Sequence, residues 1–558
     1  MLYCCFAANI LIVPMHLQAS HKKSMIPLAR ALSNRHNVTV WNSFFVKQPV
    51  KRDTDKFNEE DWIVKSPNPA RQNEFVHRNS STAIDAWKLR FYRPLDLTPL
   101  WSLNAEICRL TLDQHSNQLD AFLFHNFNTN FTNDPTFKPQ PRFDLIIYDV
   151  ILAPCAYALA SAFGNNIPII AMATNTLLPM SFDALGVLFG PHNPQLVKIQ
   201  YDSKSFWSRA AYVLDEIAER VVVPRATNRA ITTQLSTVID IEASADTCSC
   251  KYCLPNSFTV AGFDRNSHAL FTAYPVALID PYASQHSVVH IGDLDCNKRL
   301  WSNSTKPLRH NLESFLNAPG SNGTIVAAFG HVVTWKTASP HIIASFASAF
   351  HELAVLYGYR IVWQYDGPAI PAERRHPNLF ILPWLPQTAL LSHPSVRLFI
   401  SHTGAKSSFE SICAQVPFLA IPIYAEQPYN SRMLIERNRL GLLVNKFSLD
   451  FRDIVAKSLA ILRNTNAYRA RSARIRAFCS DQIAPGLQLA THRVDFVLRH
   501  HQQYSSGGKL RSKSKDLSYT SLRCYDIIAC FIAIAFCVLL FCFRISTFCF
   551  IKFCRKFK

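Results

Sequence analysis

Residues 398–410, LFISHTGAKSSFE, bring together side chains that could bind a phosphate group. An apolar run typical of a buried strand ends at Ser401, and a helical pattern begins a few residues later. The residues with chemical potential here are His402, Gly404, Lys406, Ser407 and Glu410. The free N–H groups and positive end of a helix bind anions. The pattern therefore predicts a diphosphate site, with Glu410 further along the helix to accept bonds from ribose hydroxyls. The alternative, a capped helix with a satisfied core histidine, stays open on these residues alone.

A second pair of residues could move a proton. His21 ends a loop after the first predicted strand, and Asp149 ends another strand. A neutral imidazole can accept a hydroxyl proton if a carboxylate fixes its tautomer and stabilises the imidazolium. A lone histidine in a surface loop is more often only polar surface, so spacing does not decide the role of His21.

Two series of alternating strands and helices are available to position these side chains. The first is predicted at 9–13, 24–34, 37–41, 143–149, 156–163 and 168–172. The second is predicted at 324–329, 341–357, 360–364, 379–382, 398–401, 406–414 and 418–422. Strand, helix and strand in succession indicate a parallel sheet, whose ligands lie beyond the carboxyl ends of its strands. We expect an α/β protein with two facing, doubly wound, Rossmann-like domains and a cleft between them.

The domain boundaries follow from changes in pattern along the chain. We predict an N-terminal domain at 1–285, a second domain at 286–500, a basic linker at 501–526, a transmembrane helix at 527–543 and a short basic tail at 544–558. Residues 180–266 give no clean period, and 274–294 have the composition of a linker. Neither GxGxxG after the first strand nor GxxxxGK[ST] is present, which excludes nicotinamide-dependent and P-loop enzymes.

The composition excludes a disordered chain, because 49% of the 558 residues are hydrophobic and 17% are charged. The net charge of +19 does not predict a nucleic-acid partner, since much of it flanks the apolar run 527–543. That run is at the short end of what crosses a bilayer. Five basic residues precede it and five follow it, so the positive-inside rule does not orient it.

The compartment is only weakly indicated by the remaining features. The N-terminus, MLYCCFAANILIVP, is apolar but has no basic segment, and we expect that a signal peptide is missing from this chain. Among 16 cysteines, Cys248, Cys250 and Cys253 show no fourth zinc ligand nearby, which favours a disulfide to another segment. Glycosylation sequons begin at Asn37, Asn79, Asn130, Asn303 and Asn322.

The stretch WLPQTALLSHPSVRLFISHTGAKSSFESICAQVPFLAIPIYAEQPYN resembles the donor-binding signature of the UDP-glycosyltransferases, which include the UDP-glucuronosyltransferases. GTIVAAFG, FDLIIYD, SVVHIGDL and RVDFVLRHH resemble other segments of the family in family order. The resemblance implies the GT-B fold. It also implies that Trp384 stacks on uracil, that Gln387 bonds the base or ribose, that His402 meets the diphosphate and that Glu410 meets the ribose. Glu426 and Gln427 would bind sugar hydroxyls, and His21 with Asp149 would form the base that deprotonates the acceptor.

The implied activity is inverting, metal-independent transfer of glucuronic acid or glucose from a UDP-sugar to a small lipophilic acceptor. The UDP-sugar is a co-substrate, so no cofactor and no metal are expected, and a homo-oligomer is compatible with the family. The tail RKFK resembles a retrieval signal for the endoplasmic reticulum, which implies a single-pass protein with a luminal body. Departures from the family pattern are Thr403, Lys406, Ser407, Glu426 and His331, and they leave the donor sugar open. The alternative is an inactive membrane protein of the same fold that binds a nucleotide sugar or a lipophile.

Overall fold

The structure is a computed structural model that describes residues 7–15, 19–44, 58–63, 87–88, 98–125, 140–151, 153–163, 167–175, 177, 181–182, 184–188, 202–236, 240–242, 253–255, 258–275, 278–279, 283–292, 308–330, 333–504, 517, 521 and 524–556. It forms two units, Met1–His501 and Gln502–Lys558. The first unit holds two parallel sheets, and the second holds a long apolar helix.

The first sheet has seven parallel strands, and its central strands are apolar and buried. They are β1 (Asn9–Val13), β2 (Asn37–Phe44), β3 (Asn58–Ile63), β6 (Leu145–Asp149), β7 (Ile169–Ala173), β11 (Ala269–Thr272) and β13 (Val288–His290). Their spatial order is β13-β11-β7-β6-β1-β2-β3. Three two-stranded pairs lie outside this sheet: β4 (Phe124–His125) with β5 (Gln140–Pro141), β8 (Val187–Leu188) with β12 (Ala283–Ser284), and β9 (Asp240–Glu242) with β10 (Cys253–Pro255).

The second sheet has six parallel strands in the order β16-β15-β14-β17-β18-β19. They are β14 (Thr324–Ala328), β15 (Arg360–Gln364), β16 (Leu379–Leu382), β17 (Val396–Ser401), β18 (Phe418–Ala420) and β19 (Gly441–Leu443). In both sheets the chain starts in the middle, runs to one edge and then returns to build the other half. The strand order therefore reverses between β1 and β6 in the first sheet and between β14 and β17 in the second. Such reversal points are where doubly wound sheets bind ligands, and the predicted fold class is confirmed.

The helices connect the strands of each half. In the first half they are α1 (Ala19–Leu32), α2 (Thr98–Gln114), α3 (Ser116–Leu123), α4 (Pro154–Ala162), α5 (Phe206–Leu235) and α6 (Val260–Asp264). In the second they are α7 (His310–Asn317), α8 (Pro340–Val355), α9 (Gln387–Leu391), α10 (Ala405–Cys413), α11 (Gln427–Ser431) with a π-helical turn at Arg432–Arg437, α12 (Phe451–Arg463), α13 (Thr465–Ser480) and α14 (Gly486–His500). Short 3₁₀ turns lie at Trp335–Thr337, Ala372–Arg374, Lys446–Ser448 and His501–Tyr504.

Three sequence-based expectations differ from the structure. Helix α1 begins at Ala19 rather than at residue 24, so His21 lies in its first turn and not in a loop. The region without a clean period contains the 30-residue helix α5. The segment read as a linker contains strand β13 of the first sheet, beyond the predicted boundary at 285. Tyr274 and Leu278 from the same segment are buried in the core of the second half.

Each half of the chain also contributes to the core of the other. The Trp87 indole is buried among Phe329, Trp335 and Phe346 of the second half, with ring centroids 5.0 to 6.3 Å apart. In the other direction, helix α14 packs against α1, and its apolar face joins the core around β1. Burial of these apolar groups ties the two halves together.

Two polar contacts strengthen the return of α14 to the first half. Asp495 accepts hydrogen bonds from Arg35 Nη1 and His36 Nε2, both at 2.9 Å. The Ala8 amide donates to His36 Nδ1, so Nε2 carries the proton that is shared with Asp495.

The second unit is helix α15 (Tyr525–Lys556). Its segment Tyr525–Lys552 is 28 residues long and, within the described residues, is the one helix long and apolar enough to cross a membrane. The helix continues past the predicted end of the span at residue 543, where Arg544 is the only charged residue before Lys552. The predicted C-terminal transmembrane helix is thus confirmed as an element, and it is consistent with a single-pass membrane protein.

Within the described part of the first half, a disulfide bond joins two helices. Cys108 on α2 and Cys155 on α4 are both buried and are joined across 47 residues of chain. Cys248 and Cys250 lie outside the described residues, and only the backbone strand position of Cys253 is described. Among the described residues, no three His, Cys, Asp or Glu side chains come together as a group that could hold a metal ion.

Candidate active site

His21 and Asp149 meet at the reversal point of the first sheet. Asp149 is the last residue of β6 and is fully buried, and its Oδ2 lies 2.6 Å from Nδ1 of His21. Because the carboxylate accepts the proton of Nδ1, the imidazole keeps Nε2 as the atom that can accept a proton. The structure brings together the two residues that the sequence reading paired.

Thr174 completes this cluster and was missed by the sequence reading. Its hydroxyl donates to Asp149 Oδ2 at 2.9 Å and lies 2.8 Å from His21 Nδ1. Thr174 directly follows β7, the neighbour of β6, so its position one residue past a buried strand was the available signal. The hydroxyl fixes the carboxylate that in turn orients the imidazole.

The first turn of α1 is anchored by a buried ion pair next to His21. Lys22 Nζ lies 3.1 Å from Glu59 Oε2, and both side chains are almost fully buried. Glu59 lies on β3, at the edge of the first sheet. Removing one partner of such a pair leaves an uncompensated buried charge. The pair therefore fixes the start of the helix that carries His21.

The pKa of His21 couples the two halves of the chain. Burial lowers the pKa of this imidazole, but the neighbouring Asp149 carboxylate and, more weakly, Glu426 raise it, and the result is a pKa above the ordinary value. Burial raises the pKa of Glu426, against lowering by its own backbone hydrogen bond and by His21. Glu426 is the N-cap of α11 in the second half. Each side chain is therefore near enough to the other for its charge to shift the other's pKa.

His402 lies at the reversal point of the second sheet, directly after β17. Its imidazole is buried between two glycines. A Cβ on Gly330 would lie 2.9 Å from Nε2, and a Cβ on Gly404 would lie 2.5 Å from the same atom. Any side chain at these positions would displace the ring. Gly330 follows β14 and Gly404 is the N-cap of α10, so three loop positions together define the place of the imidazole.

Thr403 connects the histidine loop to α11. Its φ is 60°, a left-handed conformation that is unusual for a β-branched residue. The Thr403 hydroxyl donates to the carbonyls of His402 and Gln427, and Asn430 Nδ2 donates to the Thr403 carbonyl at 2.9 Å. The Tyr274 hydroxyl in turn donates to Asn430 Oδ1 at 2.5 Å. This network, missed by the sequence reading, compensates for the strained backbone at Thr403.

Glu410 is the centre of a second polar cluster on α10. Gln387 Nε2 donates to Glu410 Oε2 at 2.6 Å and to Ser407 Oγ at 3.1 Å. The Thr388 hydroxyl donates to Glu410 Oε1 at 2.9 Å. The structure therefore brings Gln387, Ser407 and Glu410 together, as the sequence reading expected for one ligand site, and it adds Thr388.

The remaining predicted residues occupy different environments. Trp384 is 55% exposed, so its ring is available as a stacking surface. Lys406 is exposed on the first turn of α10. Gln427 is buried, and its Oε1 accepts from the amides of Ile423 and Tyr424 at 2.9 and 3.1 Å. This side-chain oxygen therefore shapes the loop before α11.

The chemical capacity of these residues follows from their positions. The first half carries an imidazole held in a single tautomer by a carboxylate, which can accept a proton from a hydroxyl. The second half carries the start of α10 and the buried His402, which can hold an anionic group. Glu426, at the N-cap of α11, is a third polar group, and its charge reaches His21.

Comparison with known proteins identifies a family and a fold. A family model described as "UDP-glucoronosyl and UDP-glucosyl transferase" matches residues 142–558. UDP-glucuronosyltransferase 1A4 of Oryctolagus cuniculus is 29% identical over 254 residues, which are 45% of this chain and 43% of that relative. UDP-glucuronosyltransferase 1A6 of Homo sapiens is 28% identical over 265 residues, 48% of this chain and 46% of that relative. The chain thus spans less than half the length of these curated relatives.

Solved structures share the fold at lower identity. The glycotransferase of kitacinnamycin has a TM-score of 0.55 and 17% identity, with 88% of this chain and 100% of that chain covered. A UDP-glucosyltransferase from Polygonum tinctorium capable of glucosylating indoxyl has a TM-score of 0.55 and 14% identity, with coverage of 88% and 99%. Both likenesses concern the two-sheet body.

Proposed function

The chain belongs to the UDP-glucuronosyl and UDP-glucosyl transferase family, and on that premise we propose that it transfers a hexose from a UDP-sugar to a small lipophilic acceptor. The observation that carries the proposal is the buried pair of His21 and Asp149, with Nδ1 2.6 Å from Oδ2, at the reversal point of the first sheet. His402 and the start of α10 lie at the corresponding point of the second sheet, and such points are where doubly wound sheets bind ligands. We propose that this proton acceptor and this anion-binding helix start serve one bound pair of substrates. This is the arrangement that a displacement reaction with an anionic leaving group needs.

The proposed step is direct displacement at the anomeric carbon. His21 Nε2 takes the proton of the acceptor hydroxyl or of a similar nucleophile, and Asp149 stabilises the imidazolium that forms. The acceptor oxygen forms a bond to the anomeric carbon while the bond from that carbon to the diphosphate oxygen breaks. The products are the glycoside, with inverted configuration, and UDP. The proton on His21 then leaves to solvent or to the diphosphate.

The second half is proposed to hold the donor. The start of α10 and His402 would neutralise the diphosphate, and the exposed Lys406 adds positive charge beside it. Trp384 would stack on the uracil, and Glu410 would accept bonds from the ribose hydroxyls. These roles require no metal ion in the proposed step.

The contacts of the sugar itself are proposed for Glu426 and Gln427. The charge of Glu426 reaches His21, and a sugar placed between the base and the diphosphate is proposed to lie beside this carboxylate. Since Gln427 Oε1 is engaged by backbone amides, its Nε2 is the atom proposed to reach a sugar hydroxyl. Glucuronic acid and glucose are both candidate hexoses, and the charge on Glu426 disfavours a sugar carboxylate placed next to it.

The test is transfer by the purified full-length chain, assayed with UDP-glucose, UDP-glucuronate and UDP-N-acetylglucosamine and a mixture of phenols. Replacement of His21 by Ala should abolish transfer while UDP affinity, measured by calorimetry, stays unchanged. If the unaltered chain binds UDP but transfers from none of the three donors, the inactive binding protein is the correct function. If UDP does not stabilise the chain against heat, the donor site itself is wrong.

We propose a luminal body in the endoplasmic reticulum membrane. The buried disulfide between Cys108 and Cys155 supports an oxidising compartment, and α15 supports a single membrane anchor. Protease digestion of sealed microsomes should leave the body intact and remove only the C-terminal tail. Digestion of the body in sealed microsomes would place it on the cytosolic side.

A further inference from the structure

Helix α5 carries an apolar stripe that faces solvent along its first half. Phe206, Trp207, Leu214 and Ile217 are 64, 79, 69 and 43% exposed. At 100° per residue these four side chains fall within a sector about 100° wide. We propose that this stripe lies on the surface of the same membrane that α15 crosses.

The stripe belongs to a well-formed helix with its own packed face. Ser205 caps the helix by accepting a hydrogen bond from the Ser208 amide. Tyr212 and Val223 lie on the buried side, where α5 packs against α2. The exposed side chains are therefore additional to the packing of this helix against the protein core. Large contiguous apolar patches on a folded body mark contact surfaces.

The charges around the stripe fit the head groups of anionic lipids. Lys204, Arg225 and Arg229 are exposed, and Arg225 and Arg229 project on the stripe's side or next to it by helical periodicity. The acidic residues Asp215 and Glu216 fall outside that sector by the same periodicity. A helix with aromatic and aliphatic residues on one face and flanking basic residues is typical of binding at a membrane interface.

The membrane is favoured over other occupants because the chain is already attached to it. Only 20 residues of chain separate residue 504 from the start of α15, so the body is covalently tethered to the segment proposed to cross the bilayer. Such a tether raises the effective concentration of a weak second contact. Trp207 is also the residue type that prefers the bilayer interface. This inference rests on α15 as a membrane anchor and is independent of transferase activity.

The experiment uses the full chain reconstituted in vesicles whose acyl chains carry bromine, which quenches nearby tryptophans. The segment Tyr525–Lys552 contains no tryptophan, so quenching reports on the body. We expect emission to fall relative to vesicles without bromine, and Trp207→Phe to lose most of this difference. The control is Trp384→Phe, which removes another exposed tryptophan and should leave the difference as in the unaltered chain.

A second pair of variants tests the stripe without removing the probe. Leu214 and Leu356 are each 69% exposed, on α5 and just after α8. Leu214→Glu should reduce the quenching, whereas Leu356→Glu should not, and an anionic lipid should increase quenching of the unaltered chain. Equal quenching in the unaltered chain and in Trp207→Phe overturns the proposal. If the emission of Trp207 changes with protein concentration and not with bromine content, the stripe contacts a second copy of the chain, and the membrane proposal is also overturned.

Discussion

Substitution of Gly404 by alanine tests how the structure places His402. A Cβ on Gly404 would lie 2.5 Å from Nε2 and 3.1 Å from Cε1 of the imidazole. Gly404 has φ −60° and ψ 146°, which alanine adopts without strain. The cost of the substitution therefore comes from the contact with His402 and from the change of capping residue.

The magnitude follows from the overlap. Ordinary contact begins at about 3.5 Å, so the imidazole must move by roughly 1 Å. Overpacking of this kind costs about 1–3 kcal/mol, and Ala in place of Gly at an N-cap adds up to about 1 kcal/mol. If the ring contacts the diphosphate, a loss of about 1.4 kcal/mol in binding already weakens UDP tenfold.

The assay is a double-mutant cycle. The apparent Tm is measured for the unaltered chain, for Gly404→Ala, for His402→Ala and for the double variant. UDP affinity is measured by calorimetry for the unaltered chain and for Gly404→Ala. Gly404→Ala should lower the Tm clearly in the unaltered chain. It should lower the Tm only slightly once the imidazole is absent, because the capping cost alone remains. Additive Tm shifts, or normal UDP affinity in Gly404→Ala, would refute the reasoning.

Three further predictions concern other parts of the site. The pKa of His21 is raised, and the neutral imidazole is the proposed base. We therefore expect kcat/KM to fall as pH decreases through that raised pKa. Asp149→Asn should shift this fall to lower pH and should also reduce kcat. The same raised pKa of His21 stabilises the fold at low pH, and this contribution is lost as pH rises through the folded-state pKa. Because Asp149→Asn removes the contribution, it should lower the free energy of unfolding more at pH 6 than at pH 9. Trp384→Ala should weaken UDP by about 1–3 kcal/mol, the usual value of stacking on a base, without a change in Tm, and an unchanged affinity would exclude stacking. Trp87→Ala should cost about 3–5 kcal/mol of stability, and Trp87→Phe less. The matched control Trp101→Phe should also lower the Tm. Only Trp87→Phe should change UDP affinity, because Phe329, which the Trp87 ring contacts, also lies beside His402, with ring centroids 6.4 Å apart.

The seven elements predicted between residues 324 and 422 agree with the structure to within two residues, whereas β19 and the helices α7, α9 and α11 to α14 were not predicted. Strands β15 and β16 coincide with the predicted ranges 360–364 and 379–382, because short apolar runs between turn residues are typical of parallel strands. The positions of His402 and Glu410 relative to strand and helix were predictable for the same reason. His402 follows the apolar strand β17, and Glu410 lies on the amphipathic helix α10.

The first half was harder because its polar residues are buried and its apolar residues are partly exposed. The start of α1 was missed since His21 and Lys22 are polar, although Asp149 and Glu59 allow them to be buried. Helix α5 was missed because the exposed stripe and the buried face together hide the helical period. Thr174 could not be assigned from spacing, because its role depends on which strands become neighbours.

Trp87 was unpredictable in a different way, because its partners are more than 240 residues away in the chain. Its indole Nε1 donates to the carbonyl of Thr334 at 2.9 Å, and the ring fills a space among aromatic side chains of the second half.

Trp87 of the first half packs in the second half, and α14 packs against the first half, so the two halves cannot be exchanged freely between relatives. A hybrid that joins residues 1–285 of this chain to the C-terminal half of a relative would place Trp87 against a pocket whose side chains differ from its own. The hybrid would also pack the relative's α14 against α1 of this chain. The two halves should therefore exchange between relatives only when the Trp87 pocket and α14 are exchanged together with the residues that they contact.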